Sequence, residues 1–433
     1  MGDRLKVVVI GGGSSYTPEL IEGFITHYDA FPVTDIVLVD IPEGRHKLEI
    51  VGALAQRMVQ RSTLPISITL TLDRKEALSG AHFVSTQMRV GLLEARGWDE
   101  SIPLRYGMLG QETTGAGGMM KALRTIPVLL DICRDMEALC PDAWLLNFTN
   151  PAGMVTEAIM KHTRIRSIGL CNSPIAAYKW LSGLYQVPTT RIYCEFVGLN
   201  HLHWISRIEI DGTSKLEELL AVGGSYSASN VPQLAWNDTL IRSLGAIPSY
   251  YLKYYYLHRE MLEEQQSAAV KGETRAETVK RLEDELFDIY KQPELAEKPK
   301  QLELRGGAYY SEAAVHLMKA IHTDSFEVQT LNVMNGDTLA FLPSDACIEV
   351  NCVVTKNGAV PIPIERVPDG TIGLIQAVKT YESLAIEAAV TGSREKALLA
   401  LSAHPLTDSV TSAESMLSEM LERNRKYVPQ FFG

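Results

Sequence analysis

Lys6-Val7-Val8-Val9-Ile10-Gly11-Gly12-Gly13-Ser14-Ser15-Tyr16, continuing into Thr17-Pro18-Glu19-Leu20, is the stretch that decides the fold. Val7 to Ile10 read as a buried strand, the three glycines as a tight turn, and Thr17-Pro18 as the first turn of a helix. Glycines let backbone N–H groups approach an anion at a helix N-terminus, where the dipole favours negative charge. Gly11 and Gly13 match the first two glycines of the GxGxxG dinucleotide turn, but Tyr16 stands at the third, so the helix must pack on the strand differently. The next strand, Ile36-Val37-Leu38-Val39-Asp40, ends in a carboxylate where an adenosine ribose 2′-hydroxyl would lie, which favours NAD over NADP. Gly11, Gly12, Gly13, Ser14 and Asp40 are therefore the candidate cofactor residues. The competing readings are a glycine turn in another α/β fold and Asp40 as a surface cap.

Further along, apolar runs at Leu5 to Ile10, Asp35 to Asp40, Ile66 to Leu72, His82 to Gln87, Ala143 to Phe148 and Ile165 to Leu170 alternate with helix-like stretches. Such alternation predicts a doubly wound parallel sheet covered by helices on both faces, a Rossmann-like α/β fold. After about residue 195 the pattern becomes mixed. A strand pair is expected around Tyr193 to Ile210 with a turn at Asp211-Gly212, then long helices, then strands at Glu327 to Leu331 and Cys347 to Val354. The expected organisation is a dinucleotide-binding domain over 1–195 and an α+β lobe over 196–433 that carries catalysis, substrate binding and oligomerisation, with the active site between them.

With 433 residues and 46% hydrophobic content, the chain can fill a large core. Its net charge of −11 and lack of a Lys/Arg-rich run exclude a nucleic-acid or anionic-membrane footprint, so an anionic ligand must be met by a few placed arginines. The segment Met1-Gly2-Asp3-Arg4 leads into an apolar run too short for a signal sequence, and no later run is of membrane-spanning length, so a cytoplasmic location is expected. Six cysteines without CxxC spacing read as reduced thiols.

Open α/β sheets bind ligands beyond the carboxyl ends of their strands. Four segments fall there: Gln87-Met88-Arg89-Val90-Gly91, Asn147-Phe148-Thr149-Asn150-Pro151, Gly169-Leu170-Cys171-Asn172-Ser173-Pro174 and Gly198-Leu199-Asn200-His201-Leu202-His203. Cys171 leaves a buried strand just before a helix start, a place where the dipole favours thiolate, which is a metal ligand. If Gly198 to His203 is extended, His201 and His203 share a face, one binding a metal and the other orienting it or touching a ligand. Two protein ligands would leave coordination positions open for substrate.

Gly11-Gly12-Gly13-Ser14, Gly110-Gln111-Glu112-Thr113-Thr114-Gly115-Ala116-Gly117-Gly118, Asn147 to Pro151, Cys171-Asn172-Ser173-Pro174 and Gly198 to His201 together resemble the ordered motif series of glycoside hydrolase family 4. More narrowly, they are similar to its members that cleave 6-phospho-β-glucosides. The resemblance runs from residue 5 to at least 275. It implies an NAD- and metal-dependent reaction rather than the two-carboxylate route of most glycosidases: NAD⁺ takes hydride from sugar C3, a base removes the acidified C2 proton, the aglycone leaves from C1, water adds, and the hydride returns. By the same resemblance Cys171 and His201 hold the metal, Mn²⁺ being the expected ion. The base is a tyrosine in Ile247-Pro248-Ser249-Tyr250-Tyr251-Leu252-Lys253-Tyr254-Tyr255-Tyr256, aligned best on Tyr251 with Tyr250 as the alternative, and Glu112 raises its basicity. Arg89 and Arg275 meet the phosphate, and Asn150 and Asn172 meet the sugar. Where α-specific members carry an aspartate after the metal cysteine, this chain has Asn172, which implies β-linked substrates, a phosphorylated disaccharide or aryl glycoside. A homodimer or homotetramer is expected.

Two other readings compete. An NAD-dependent 2-hydroxyacid dehydrogenase would share the sheet and the asparagine-proline turn, produce NADH stoichiometrically and need no metal. A non-catalytic sugar-phosphate sensor would bind without turnover.

Overall fold

The computed structural model describes residues 4–228, 231–305 and 309–433; Met1, Gly2 and Asp3 of the N-terminal reading lie outside the described residues. All six runs become strands: β1 (Lys6–Ile10), β2 (Asp35–Val39), β3 (Ser67–Thr71), β4 (Phe83–Thr86), β5 (Trp144–Asn147) and β6 (Arg166–Gly169). They pair in parallel in the order β3-β2-β1-β4-β5-β6, which is the doubly wound dinucleotide topology. The burial explains the sequence signal. Val7 to Val9 of β1 are wholly buried between helix layers, whereas edge strand β3 alternates between exposed and half-buried positions.

The second half differs from expectation in one respect. β7 (Ile192–Leu199) and β8 (Leu202–Ile210) form an antiparallel hairpin, to which β9 (Thr213–Ser214) and β10 (Ile247–Pro248) add. The strands expected to build the second lobe's sheet, now β11 (Val328–Met334), β12 (Cys347–Thr355) and the short β13 (Gly358–Pro361), instead extend the first sheet to nine strands, β11 lying antiparallel beside β6. Apolar patterning reports that a strand is buried but not which edge it joins. The consequence is functional, because β12 runs past the carboxyl end of β6, where Cys171 emerges.

Helices fasten the halves together. Helix Arg275–Tyr290 packs on helix Arg45–Ser62, and the hydroxyl of Tyr290 donates to the Ser15 carbonyl at 2.7 Å, tying the C-terminal half to the glycine turn. Lys379, on helix Asp369–Thr391, is buried between Glu157 (2.7 Å) and Glu382 (2.5 Å), joining that helix to helix Ala152–His162. Among the described residues no helix is long and apolar enough to cross a membrane.

Candidate active site

The glycine turn is shaped by contact on both sides. Gly11 adopts φ +84°, a left-handed conformation that glycine takes without a Cβ penalty. The amides of Gly11 and Gly12 both donate to the Val39 carbonyl, at 2.9 and 2.8 Å, and a Cβ on Gly12 would lie 2.8 Å from the Val39 nitrogen. Gly12 therefore faces β2 rather than the cavity beside it. Gly13 donates to the Asp40 carboxylate at 2.8 Å, and a Cβ there would sit 2.7 Å from the same oxygen. Asp40 also accepts from the Ile41 amide at 2.8 Å; burial raises its carboxyl while the two amides oppose the rise.

A cavity of about 630 Å³ opens over this turn, lined by Gly11, Gly13, Ser14, Asp40 and Gln87 among others. Where the third motif glycine is missing, Thr17 replaces its packing: its hydroxyl donates to the Gly12 carbonyl at 2.9 Å and accepts from Gln87 at 2.7 Å. Tyr16 is thereby left at the start of helix Thr17–Thr26, lining this cavity and the next one.

That second cavity, about 450 Å³, lies beyond the carboxyl ends of β4, β5 and β6. Eight residues singled out in the sequence meet in its wall: Arg89, Glu112, Asn150, Cys171, Asn172, His201, Tyr251 and Arg275. Arg89, Asn150 and Asn172 line both cavities, as do Tyr16 and Phe148, so the two spaces share a wall. Arg275 enters from the N-terminus of its helix, which Thr274 and Glu277 cap reciprocally.

His201 arrives by a different geometry from the extended one expected. Leu199 pairs with Leu202, so Asn200-His201 is a two-residue turn, and His201 sits at φ +62°, a conformation costing a non-glycine residue about 1–3 kcal/mol. His203, back in β8, points elsewhere, to Glu349 and Tyr226. The His201 imidazole is buried, which pushes it down to about 4, against the pull of Glu349; it is neutral at physiological pH. Its Nδ1 is buried without a hydrogen-bond partner, and its ring stacks on Tyr251 at 3.9 Å between centroids.

Cys171 lies beside it in the same wall. Its sulfur accepts from the Ser173 amide at 3.4 Å, the helix-start donor the sequence anticipated. The expected thiolate, however, does not follow from the protein alone: burial, reinforced by Glu349, pushes the thiol well above its ordinary range and outweighs that amide and the Asn200 side chain. Such a thiol ionises when a cation replaces the proton. An orphaned neutral imidazole nitrogen and a buried sulfur in one wall are a soft-to-borderline donor set that fits a divalent transition metal. Among the described residues no group of three or more His, Cys, Asp and Glu side chains is arranged to hold a metal ion.

Glu112 is the centre of a charge cluster that sequence reading did not foresee. It pairs with Arg89, with Arg96 at 3.1 Å and with Lys121 at 2.9 Å. Burial alone would raise its carboxyl, but the three cations hold it well below its ordinary value. Burial and the neighbouring Arg89 push Lys121 down to about 7 despite Glu112. Of these, Arg96 and Lys121 were missed because each sits inside a helix, where a charged residue reads as a solvated face. Tyr250, the alternative base, is fully buried and meets Tyr226 edge-on at 5.4 Å; it does not line the cavity, whereas Tyr251 does.

The model of the family 4 glycosyl hydrolases matches residues 6–187, and that of the family 4 glycosyl hydrolase C-terminal domain matches residues 196–407. A probable 6-phospho-β-glucosidase of Bacillus subtilis (strain 168) is 49% identical, over 100% of this chain and 99% of its own. The 6-phospho-β-glucosidase of Escherichia coli (strain K12) is 45% identical over 100% and 98%. The 6-phospho-β-glucosidase of Thermotoga maritima, solved with manganese, NAD⁺ and glucose 6-phosphate, superposes with a TM-score of 0.90 at 32% identity, covering 98% of this chain and 99% of that one.

Proposed function

The chain belongs to family 4 of the glycosyl hydrolases, and from that premise we infer that it is a 6-phospho-β-glucosidase that requires NAD and a divalent metal, Mn²⁺, and releases glucose 6-phosphate from its substrates. The observation that carries the reading is the shared wall: one cavity over a dinucleotide turn, and beside it a second lined by the candidate metal pair, Tyr251, Arg89 and Arg275. When bound, NAD supplies a reversible hydride acceptor for sugar C3, and the metal supplies a Lewis acid for the oxygens on C2 and C3.

The residues divide the remaining work. Gly11, Gly13 and Ser14 leave room for a pyrophosphate at the helix start, and Asp40 faces the ribose. Cys171 and His201 would hold the metal, leaving its other positions to substrate and solvent oxygens. Arg275 and Arg89 grip the 6-phosphate, and the Glu112 cluster, with more cations than carboxylates, favours that dianion. Asn150 and Asn172 hold sugar hydroxyls from the common wall of the two cavities.

Tyr251, stacked on His201, takes the C2 proton, and a dication held by His201 would make the phenol a readier proton carrier at neutral pH. With that proton gone the C1–oxygen bond breaks, water adds at C1, and Tyr251 returns a proton to C2. Glu112, kept ionised by its three cations, lines the same cavity as the tyrosine, and its own negative charge there supports the tyrosine as a base. Asn172, unable to donate as an acid, leaves protonation of the departing oxygen to solvent, which suits β-linked aryl glycosides and phosphorylated disaccharides. We place the enzyme in the cytoplasm, where phosphorylated sugars are retained, as a dimer or tetramer, with 1–195 as the nucleotide domain and 196–433 as the catalytic and assembly lobe.

The test is cleavage of a chromogenic 6-phospho-β-glucoside in D₂O. Cleavage that needs NAD⁺ and Mn²⁺ together, with deuterium appearing at C2 of the product, is expected. Undiminished cleavage after chelation and cofactor removal, or net accumulation of NADH, would overturn the reading.

A further inference from the structure

One buried carboxylate beside the candidate metal ligands has no role in the scheme above. Glu349, on β12, is fully buried. Its Oε1 accepts from His203 Nδ1 at 2.6 Å, and its Oε2 accepts from the side-chain amides of Asn200 and Asn332, each at 2.9 Å. The His203 ring thus bridges Glu349, through Nδ1, and the Tyr226 hydroxyl, which lies 3.1 Å from Nε2. Three side chains, His203, Asn200 and Asn332, thus hold the carboxylate in place.

These partners are the residues that frame the metal pair. Asn200 lies in the turn that presents His201, and His203 follows it on β8, so Glu349 grips the turn and the strand that leaves it. Asn200 also lies near enough to Cys171 to favour its thiolate. Asn332 pairs in register with Glu349 on β12 and with Gly169 on β6, and a Cβ on Gly169 would come within 2.7 Å of the Asn332 Cβ. Gly169 thus lets Asn332 seat directly on the strand that delivers Cys171 two residues later. A dication held by one thiolate and one neutral imidazole leaves a unit of positive charge in a buried site, which a nearby anion offsets.

We propose that Glu349 is a positioning residue for the metal site: through Asn200, His203 and Asn332 it fixes Cys171 and His201 in ligating geometry, and its charge raises cation affinity without contact. The proposal rests on Cys171 and His201 being the metal ligands. The test compares the metal-stripped full-length enzyme with Cys171→Ser and Glu349→Gln, titrating Mn²⁺ and reading free ion by electron paramagnetic resonance, with NAD affinity measured in parallel. Glu349→Gln is expected to weaken Mn²⁺ binding roughly 10- to 100-fold while NAD affinity holds within about twofold, and saturating Mn²⁺ recovers most of kcat. Loss of binding in Cys171→Ser with unchanged Mn²⁺ affinity in Glu349→Gln would overturn the role of Glu349 alone; unchanged affinity in Cys171→Ser would remove the ligand assignment and the proposal with it. Should Glu349→Gln fail to fold, Asn332→Ala removes one of the carboxylate's donors, and a weaker Mn²⁺ affinity supports the proposal while an unchanged one overturns it.

Discussion

Gly13→Ala tests the cofactor site at its narrowest point. The added Cβ would stand 2.7 Å from the Asp40 carboxylate and 2.9 Å from the Leu48 backbone nitrogen, both well inside the 3.4 Å at which ordinary contact begins. Gly13 does not have a positive φ, so the penalty is crowding and not backbone conformation. Leu48 lies within helix Arg45–Ser62 and cannot retreat without moving that helix, so Asp40 must swing away and give up the 2.8 Å bond from the Gly13 amide. Overpacking of this kind costs about 1–3 kcal/mol. If the displaced carboxylate meets the ribose, as proposed above, most of that cost is expected in binding, which at ~1.4 kcal/mol per decade means NAD held roughly 5- to 150-fold more weakly. Quenching of NADH fluorescence measures it directly, with Gly12→Ala as the contrast: its Cβ would press on Leu38 and the backbone of β2, so its main effect should be a lower Tm. A Gly13→Ala enzyme that binds NADH as tightly as its parent would refute the assigned geometry of the turn.

Tyr251→Phe should lose about 10²- to 10⁴-fold in the rate of C2 proton exchange while still binding NAD and Mn²⁺, and exchange at the parental rate would move the base elsewhere. Burial depresses Lys121 to about 7 from 10.5, so between roughly pH 7 and 10.5 the unfolded chain carries a proton that the folded one lacks. Stability due to this group therefore rises with pH across that window, and Lys121→Met should flatten the rise in denaturant midpoints; an unaltered profile would assign it to other groups. Lys379→Met leaves Glu382 buried without its cation and Glu157 with Lys161 alone, and should cost about 3–5 kcal/mol in unfolding free energy, whereas a neutral outcome would mean that those carboxyls take up protons instead.

Much of the site was legible because its residues cluster at strand ends. Cys171, Asn150 and Arg89 each follow a strand whose apolar run marks the position, and the glycine turn with Asp40 spans only two strands. What escaped reading depends on pairings far apart in the chain. Glu349 lies 149 positions beyond Asn200 and reaches it only because β12 joins the first sheet, which no periodicity announces. The signal available was local: Glu349 and Asn351 alternate within the otherwise apolar Cys347–Thr355 run, and polar groups on a buried strand face must find partners. The thiolate expected at Cys171 failed for an energetic reason. A helix-start amide offers a modest gain to the anion, while complete burial next to Glu349 penalises it more.

The account stands on Cys171 and His201 sharing one cation beside the nucleotide cavity, and anomalous diffraction from crystals of the enzyme grown with Mn²⁺ and NAD⁺ tests this most directly. A single manganese peak within bonding distance of the Cys171 sulfur and a His201 ring nitrogen is the predicted result. Manganese bound at some other group of residues, with that sulfur and imidazole left uncoordinated, would contradict it.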